Sequence, residues 1–299
     1  SGSRRVIAVV KADAYGHGSI EVSKRLVKDS VDMLAVAFTE EARILREAGI
    51  TTPILVLFDS DPHDVFAYGL TPVISDKRLA LRLSSEAQKK GIRASVHVKV
   101  DTGMGRMGIA ENQLEDILEI SSMPGLSIEG LMSHFSEADL KDPSFAGMQM
   151  QKFNELKASF SHLQHGIKIF HMANSAAVMS LPSSLFNAVR PGIMLYGYSP
   201  LDGGAADNHG LKPVMTVKAP IIAVRKFSAN MPVSYGRTFV TKRESLIAVI
   251  AAGYADGFNR AFSNNAEVIV NGIKVPVAGR VCMDLTMIDV TEAGDVNEG

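Results

Sequence analysis

The chain is poor in the features that mark several protein classes. Cys282 is its only cysteine in 299 residues, which excludes an intrachain disulfide and fits a reducing, cytosolic setting. Net charge is almost absent, with 31 Lys and Arg against 32 Asp and Glu, whereas a general nucleic-acid binder carries a strongly basic surface. No segment approaches about 18 clean apolar residues, so no membrane span is expected. The longest uncharged stretch, His171 to Val189, is broken by Asn174, Pro182 and several serines. Nothing in Ser1-Gly2-Ser3 resembles a signal peptide. The histidines show no H-x-x-x-H spacing, and one cysteine makes no structural zinc site, so no metal is expected. Core-forming material, by contrast, is plentiful: 46% of residues are hydrophobic. That excludes disorder, and the length suits one large domain or one large and one small.

Short apolar runs alternate with amphipathic stretches up to about Leu201. The runs are Val6–Val10, Met33–Phe38, Ile54–Phe58, Thr71–Ile74, Ser95–Val100, Leu126–Phe135, Ile167–Ala173 and Ala188–Tyr196. Helices are predicted between them. One starts at Thr39 and stops at Gly49, and one starts at Asp76 and ends at Gly91. Another opens at Asp142-Pro143 and places Phe153, Leu156, Phe160 and Leu163 on one face. Eight strands alternating with helices imply a parallel sheet, and the count favours closure into a (β/α)8 TIM-type barrel over an open doubly wound sheet. Beyond the Gly/Asp-rich stretch Asp202 to Gly210, strands and turns continue without a convincing helix. Asn271-Gly272 between Glu267–Val270 and Ile273–Val277 is a strong hairpin signal. The expected domains are a barrel over 1–205 and a smaller all-β domain over 206–299.

In such a barrel, catalytic groups sit where strands end. Lys11 follows five apolar residues at the end of the first strand. It reads either as a snorkelling lysine or as a half-buried nucleophile or base of lowered pKa. On the fifth strand, Val96, Val98 and Val100 share one face and Ser95, His97, Lys99 and Asp101 the other. If the barrel closes, the charged face points into the lumen, with Arg106 available to Asp101 or to a bound anion. Gly103 to Gly108 spells G-x-G-x-x-G, but a Rossmann first strand is apolar on both faces, so dinucleotide binding is not expected. Asn174-Ser175 reads as a helix start after strand seven, and Arg190-Pro191-Gly192-Ile193 lies at strand eight. Loops there commonly hold phosphate, with Ser175 and the amides of Gly192 and Ile193 as donors; a plain helix cap and a tight turn fit equally well. His134, near the end of strand six, decides little alone. Taken together, a strand-one lysine and a phosphate cradle at strands seven and eight fit a pyridoxal-phosphate site.

The motifs carry a more specific likeness. Ala8-Val9-Val10-Lys11-Ala12-Asp13-Ala14-Tyr15-Gly16-His17-Gly18 closely resembles the cofactor-attachment motif of the alanine racemases. The match continues through Lys99 to Gly108, His171 to Ser175, Arg190 to Ile193, Val233 to Gly236, Gly253 to Gly257 and Gly279 to Asp284. The resemblance implies a head-to-tail homodimer with shared active sites, pyridoxal 5'-phosphate as cofactor, and racemisation of L- and D-alanine by two bases. The product, D-alanine, would supply peptidoglycan. Lys11 would hold the cofactor and act as one base, and Tyr235, from the partner subunit, as the other, helped to ionise by His134. Tyr15, His134, Asn174, Ser175, Gly192 and Ile193 would bind the cofactor, with Arg190 on its pyridine nitrogen and Arg106 on its phenolic oxygen. A guanidinium only donates, so that nitrogen would stay unprotonated. Arg106 and Met283 would bind the substrate carboxylate, and Lys99, Tyr254, Cys282 and Asp284 would support the site. Lys99 is carbamylated in many members.

The same resemblance implies a chain short at both ends. Relatives carry a strand and helix before the lysine strand, and a tail past Gly299 with a phosphate-binding tyrosine. A broad-specificity racemase is the nearest alternative. A non-enzymatic pyridoxal-phosphate barrel would leave Tyr235 and the β-domain unexplained, and a decarboxylase would need an acidic group where Arg190 stands.

Overall fold

The computed structural model describes residues 4–110, 113–160, 167–201 and 209–299. The chain divides into two compact units, Ser1–Met215 and Thr216–Gly299. Leu163 and the expected domain boundary at Ala205 lie outside the described residues.

In the first unit, eight parallel strands close in sequence order: β1 (Arg5–Val9), β2 (Met33–Phe38), β3 (Ile54–Asp59), β4 (Thr71–Ile74), β5 (Ala94–Lys99), β6 (Leu126–Met132), β7 (Ile169–His171) and β8 (Ala188–Val189). β1 pairs with both β2 and β8, which makes the sheet a barrel rather than an open one. The last three strands are shorter than the apolar runs suggested. β8 in particular stops at Val189, because Pro191 offers no N–H to a ladder, and the rest of its run becomes a 3-10 turn over Ile193–Tyr196.

Strand alternation sorts the side chains. Ile7, Val9, Met33, Ala35, Leu55, Leu57, Val73, Met132, Ile169 and Ala188 cluster together as the lumen packing. Their neighbours Ala8, Val10, Leu34, Val36, Ile54 and Val56 pack outward against helices. Strands buried on both faces are apolar nearly throughout, as parallel sheets require. β5 breaks that rule as expected: Val96, Val98 and Val100 join the outer core, while His97 and Lys99 are buried on the opposite face.

The intervening elements are α1 (Lys11–Gly16), α2 (Ser19–Lys28), α3 (Thr39–Glu47), α4 (Pro62–Ala67), α5 (Lys77–Lys90), α6 (Glu115–Ser122), α7 (Ser144–Ser159) and α8 (Ser175–Ser180). Asp76 caps α5 by accepting the Leu79 N–H at 2.9 Å. α7 buries Phe153 and Leu156, with Phe160 just past its end. None of the described helices is long and apolar enough to cross a membrane.

The second unit is antiparallel. β9 (Ile221–Phe227), β12 (Ser245–Ile250) and β15 (Thr286–Asp289) form a sheet in the order β15-β12-β9. β10 (Pro232–Val233) pairs with β11 (Phe239–Val240), and β13 (Glu267–Val270) with β14 (Ile273–Pro276). Between β13 and β14, Asn271 and Gly272 have φ of 51° and 78°. Both central residues are left-handed, which is the turn an Asn-Gly pair favours. The core of this unit gathers Ala248, Ile250, Val275, Val277, Val281, Ile288 and Val290.

Candidate active site

β1 delivers Lys11 to the C-terminal mouth of the barrel through an unusual turn. The Val10 N–H still donates to Ala35 O at 2.8 Å. The chain then enters α1, where Ala12, Asp13, Ala14 and Tyr15 all have φ between 52° and 57°. Four successive L-residues in the left-handed region cost about 1–2 kcal/mol each. The turn is closed by Ala14 N–H to Val10 O, Gly18 N–H to Asp13 O, and Ser19 N–H to the Asp13 carboxylate. Lys11 thereby lines a cavity of about 310 Å³ together with Tyr15, Phe58, Lys99, Arg106, His134, Asn174, Ser175, Arg190, Gly192 and Ile193. That volume falls in the range of small-ligand sites. Every barrel residue expected at the site is therefore brought to one cavity.

The cavity is cationic. Asp139 is the only carboxylate lining it among the described residues, against Lys11, Lys99, Arg106 and Arg190. Burial and then the Arg106 charge lower the Lys11 pKa, with Glu41 opposing them. Burial, Arg106 and Arg190 bring Lys99 down to about 8, against the pull of Asp101. Arg106 is not the partner of Asp101. The Asp101 carboxylate instead accepts the N–H groups of Gly103, Met104 and Gly105 at 2.8–3.2 Å. Burial pushes that carboxyl up, but the three bonds and the Lys99 charge outweigh it and hold it below its ordinary value. The glycine run is thus a turn wound on Asp101. Its Arg106 guanidinium lies 5.6 Å from the Phe58 ring, which Lys11 Nζ approaches at 5.2 Å.

Arg190 organises the lumen beneath. Its two terminal nitrogens donate to His171 O and Nδ1, to Ser133 O and Met172 O, and to His134 Nδ1, at 2.7–3.2 Å. Complete burial brings the guanidinium down to about 9, still cationic at neutral pH. Because it only donates, both histidine Nδ1 atoms are acceptors and their protons sit on Nε2. His171 Nε2 then donates to His97 Nδ1 at 2.8 Å, leaving the proton of His97 on Nε2, which has no partner among the described residues. Burial first, then the Arg190 charge, brings His97 and His134 to about 3 and lowers His171 strongly. All three are neutral. Gly130 makes room for this chain, since a Cβ there would lie 2.6 Å from the His97 ring. Among the described residues, the Arg190 Nε–H alone of its donors lacks a protein acceptor.

On the same cavity, Asn174 caps α8 by accepting the Ala177 N–H at 3.0 Å, so the cap reading of this residue holds. Ser175 Oγ accepts the N–H groups of Gly192 at 2.8 Å and Met194 at 3.3 Å. A Cβ on Gly192 would come within 2.5 Å of Tyr15 Oη, so backbone and phenol approach closely there. Tyr15 is held by the ring of Tyr196, 4.8 Å away, whose hydroxyl donates to Val9 O at 2.9 Å.

The remaining site residues lie in the second unit, where three motifs converge. The N–H of Tyr254 donates to Cys282 O and that of Ala255 to Met283 O. Ser234 Oγ donates to Arg280 O at 2.6 Å, and its oxygen lies 3.8 Å from Cys282 Sγ. The stretches before Tyr235, at Tyr254 and through Cys282-Met283-Asp284 therefore share one face. On it Tyr235 is 70% and Met283 56% exposed. Sequence reasoning missed His171, Phe58 and Tyr196. His171 carried a signal, as the first residue of the His171 to Ser175 match, but was given no role; the other two carried none beyond apolar patterning.

Comparison with known proteins places these features in a family. The chain matches the family model described as alanine racemase, N-terminal domain over residues 1–200, and that described as alanine racemase, C-terminal domain over 214–299. It is 52% identical over 295 residues to the alanine racemase of Thermodesulfovibrio yellowstonii, covering 98% of this chain and 78% of that protein. To the alanine racemase of Halothermothrix orenii it is 44% identical, covering 99% and 79%. Among solved structures, alanine racemase of Clostridium difficile superposes with a TM-score of 0.92 at 35% identity, covering 100% of this chain and 79% of that one. The enzyme of D-cycloserine-producing Streptomyces lavendulae gives 0.90 at 30% identity, covering 99% and 79%.

Proposed function

The chain belongs to the alanine racemase family, and from that premise we propose how its own residues interconvert L- and D-alanine. The observation that carries the reading is that one cavity is lined together by Lys11, Lys99, Arg106, Arg190, Ser175 and Gly192.

That donor set fits pyridoxal 5'-phosphate. The cationic walls suit its phosphate, the Ser175 hydroxyl lines the same cavity, and Lys11 is an amine held at lowered pKa. Tyr15, Asn174, Ser175, Gly192 and Ile193 would hold the phosphate end, and Arg190 would donate to the ring nitrogen. Once bound, the cofactor supplies an electron-accepting conjugated ring that acidifies the α-carbon of an attached amino acid. Arg106 takes the substrate carboxylate, joined by the backbone N–H of Met283. Lys11 Nζ, whose pKa burial and Arg106 lower, removes the α-proton from one face, and the Tyr235 hydroxyl returns one to the other. In the opposite direction the Tyr235 oxygen removes the proton and Lys11 returns it. His134 accepts from Arg190 through Nδ1, so its Nε2–H is left to donate to the Tyr235 oxygen. A carbamate on Lys99, formed from the neutral amine and carbon dioxide with loss of a proton, gives Arg106 an anionic partner. Tyr254, Cys282 and Asp284 support the loop that carries Met283.

Tyr235 and Met283 are exposed on the second unit. In this reading they complete the site of a second copy in a head-to-tail homodimer. The setting is cytosolic, and the D-alanine formed is of the kind peptidoglycan assembly consumes.

The decisive experiment separates the two bases. The alanine equilibrium is symmetric, so kcat/KM must stay equal in both directions in any variant. The asymmetry appears instead in exchange of the α-proton with deuterated water. Tyr235→Phe is expected to lose racemisation by 10²-fold or more while still exchanging the α-proton of one enantiomer. Lys11→Ala is expected to lose both reactions and the visible absorbance of bound cofactor. Equal exchange of both enantiomers in Tyr235→Phe would refute the two-base assignment.

A further inference from the structure

Glu41, the third residue of α3, belongs to none of the motifs above, yet its carboxylate reaches the backbone next to Lys11. Its Oε2 accepts the N–H groups of Ala37 at 2.6 Å and Phe38 at 3.2 Å. The Phe38 bond is the ordinary return of an N-terminal glutamate to its own helix start. The bond at Oε1 is different in kind. It accepts the N–H of Ala12 at 2.5 Å, across 29 residues of sequence. The parallel ladder between β1 and β2 has its last pair at Val9 and Ala35, with one further bond from Val10. Glu41 therefore bridges the two strands where their own hydrogen bonds stop. Ala12 opens the left-handed run, at φ 52°, directly after Lys11. A conformation that L-residues avoid persists only where its surroundings hold it.

We propose that Glu41 is a positioning residue for Lys11. Its carboxylate clamps Ala12 to the end of β2 and so holds the left-handed turn that carries the lysine into the cavity. This rests on the reading of Lys11 as the cofactor lysine. The clamp also has an electrostatic side. Lys11 shares the cavity with Arg106, Lys99, Arg190, His134, Asp139 and Tyr15, and Glu41 reaches it from α3. Burial and Arg106 lower its pKa, and Glu41 raises it. Geometry and charge are thus two separable contributions of one carboxylate.

The test is a titration of pyridoxal phosphate into the full chain freed of cofactor, followed by visible absorbance across pH. The proteins compared are the unaltered chain, Glu41→Gln, Glu41→Gln with Ala12→Gly, and Lys11→Ala. Glutamine keeps the shape but can offer only one acceptor oxygen to donors that now use two. We expect Glu41→Gln to bind at least about tenfold more weakly, and Ala12→Gly to restore most of that loss, because glycine accepts positive φ at little cost. The acid limb of uptake should move to lower pH in both Glu41→Gln proteins, because Lys11 has lost the charge that raised its pKa and glycine does not replace it. A merely fold-stabilising glutamate would shift the melting temperature and leave that limb in place.

Affinity within twofold of the unaltered chain in Glu41→Gln, with an unmoved acid limb, overturns the proposal; so does a weakened variant that Ala12→Gly fails to recover. If Glu41→Gln does not fold, the proposal requires that the double variant does, and two unfolded proteins overturn it too. Lys11→Ala separates the levels. If it binds cofactor with the spectrum of the unaltered chain, the reading of Lys11 itself falls, whatever Glu41 does.

Discussion

His97, His134 and His171 are each buried neutral beside a cation that cannot give up its role as donor. Their ordinary pKa is near 6.5, while His97 and His134 are brought to about 3 in the folded chain. Between those limits the unfolded chain binds more protons than the folded one, so stability falls as pH drops from 6.5 towards 3. Each histidine contributes on the order of 1 kcal/mol per pH unit. A denaturant midpoint lower at pH 5 than at pH 7 is therefore expected. The difference should shrink in His97→Gln, whose amide oxygen still accepts from His171. An unchanged pH response in that variant would mean that His97 is not one of the titrating groups. Legibility was uneven at this scale. The inward direction of His97 and Lys99 followed from alternation along β5, because period two is a local property. That Asp101 serves the glycine turn, not Arg106, depended on backbone N–H directions that no residue type announces.

Elements were read from patterns that act over a few residues, and those readings hold where the physics is equally local. Asp76 before α5 and Asn271-Gly272 between β13 and β14 behave as their side-chain chemistry dictates. Asp76→Ala removes the acceptor for the Leu79 N–H and is expected to cost about 1 kcal/mol of stability. A lowered denaturant midpoint with unchanged cofactor absorbance would show this, while an unchanged midpoint would assign the cap no stabilising role. Elements less well read were the ones that end for non-local reasons. β6 and β7 stop short of their apolar runs because residues there leave the ladder to form the mouth of the barrel, where Ser133, Met172 and Arg190 meet. The α1 turn was not anticipated at all. Lys-Ala-Asp-Ala-Tyr contains no glycine or asparagine to signal positive φ, and the conformation survives because bonds from outside the turn hold it.

The molecule as a whole carries its proposed chemistry in two units. The barrel holds Lys11 and the cationic cavity it lines, and the second unit leaves Tyr235 and Met283 exposed. If each site of a homodimer draws one base from each chain, inactive chains should complement one another. Mixing Lys11→Ala with Tyr235→Phe and allowing exchange pairs an intact Lys11 with an intact Tyr235 in one of the two sites of a mixed dimer. Recovery of about a quarter of unaltered activity is expected for random closed pairing, measured against either variant alone. No recovery after demonstrated exchange would confine both bases to one chain.

The sequence by itself determined the class of fold, through eight apolar runs spaced by amphipathic helices, and the family, through collinear motifs spread across both units. Both are written in short-range order: strand and helix periods, caps, turn pairs and runs of adjacent residues. Only the tertiary structure decided which groups meet in the lumen. His97 reaches His171 across 74 residues and His134 reaches Arg190 across 56, because barrel closure and strand register bring them to the same height. It also decided that Glu41 touches the backbone beside Lys11. Contacts of this kind depend on register summed around a closed sheet, a property that no local stretch of sequence contains.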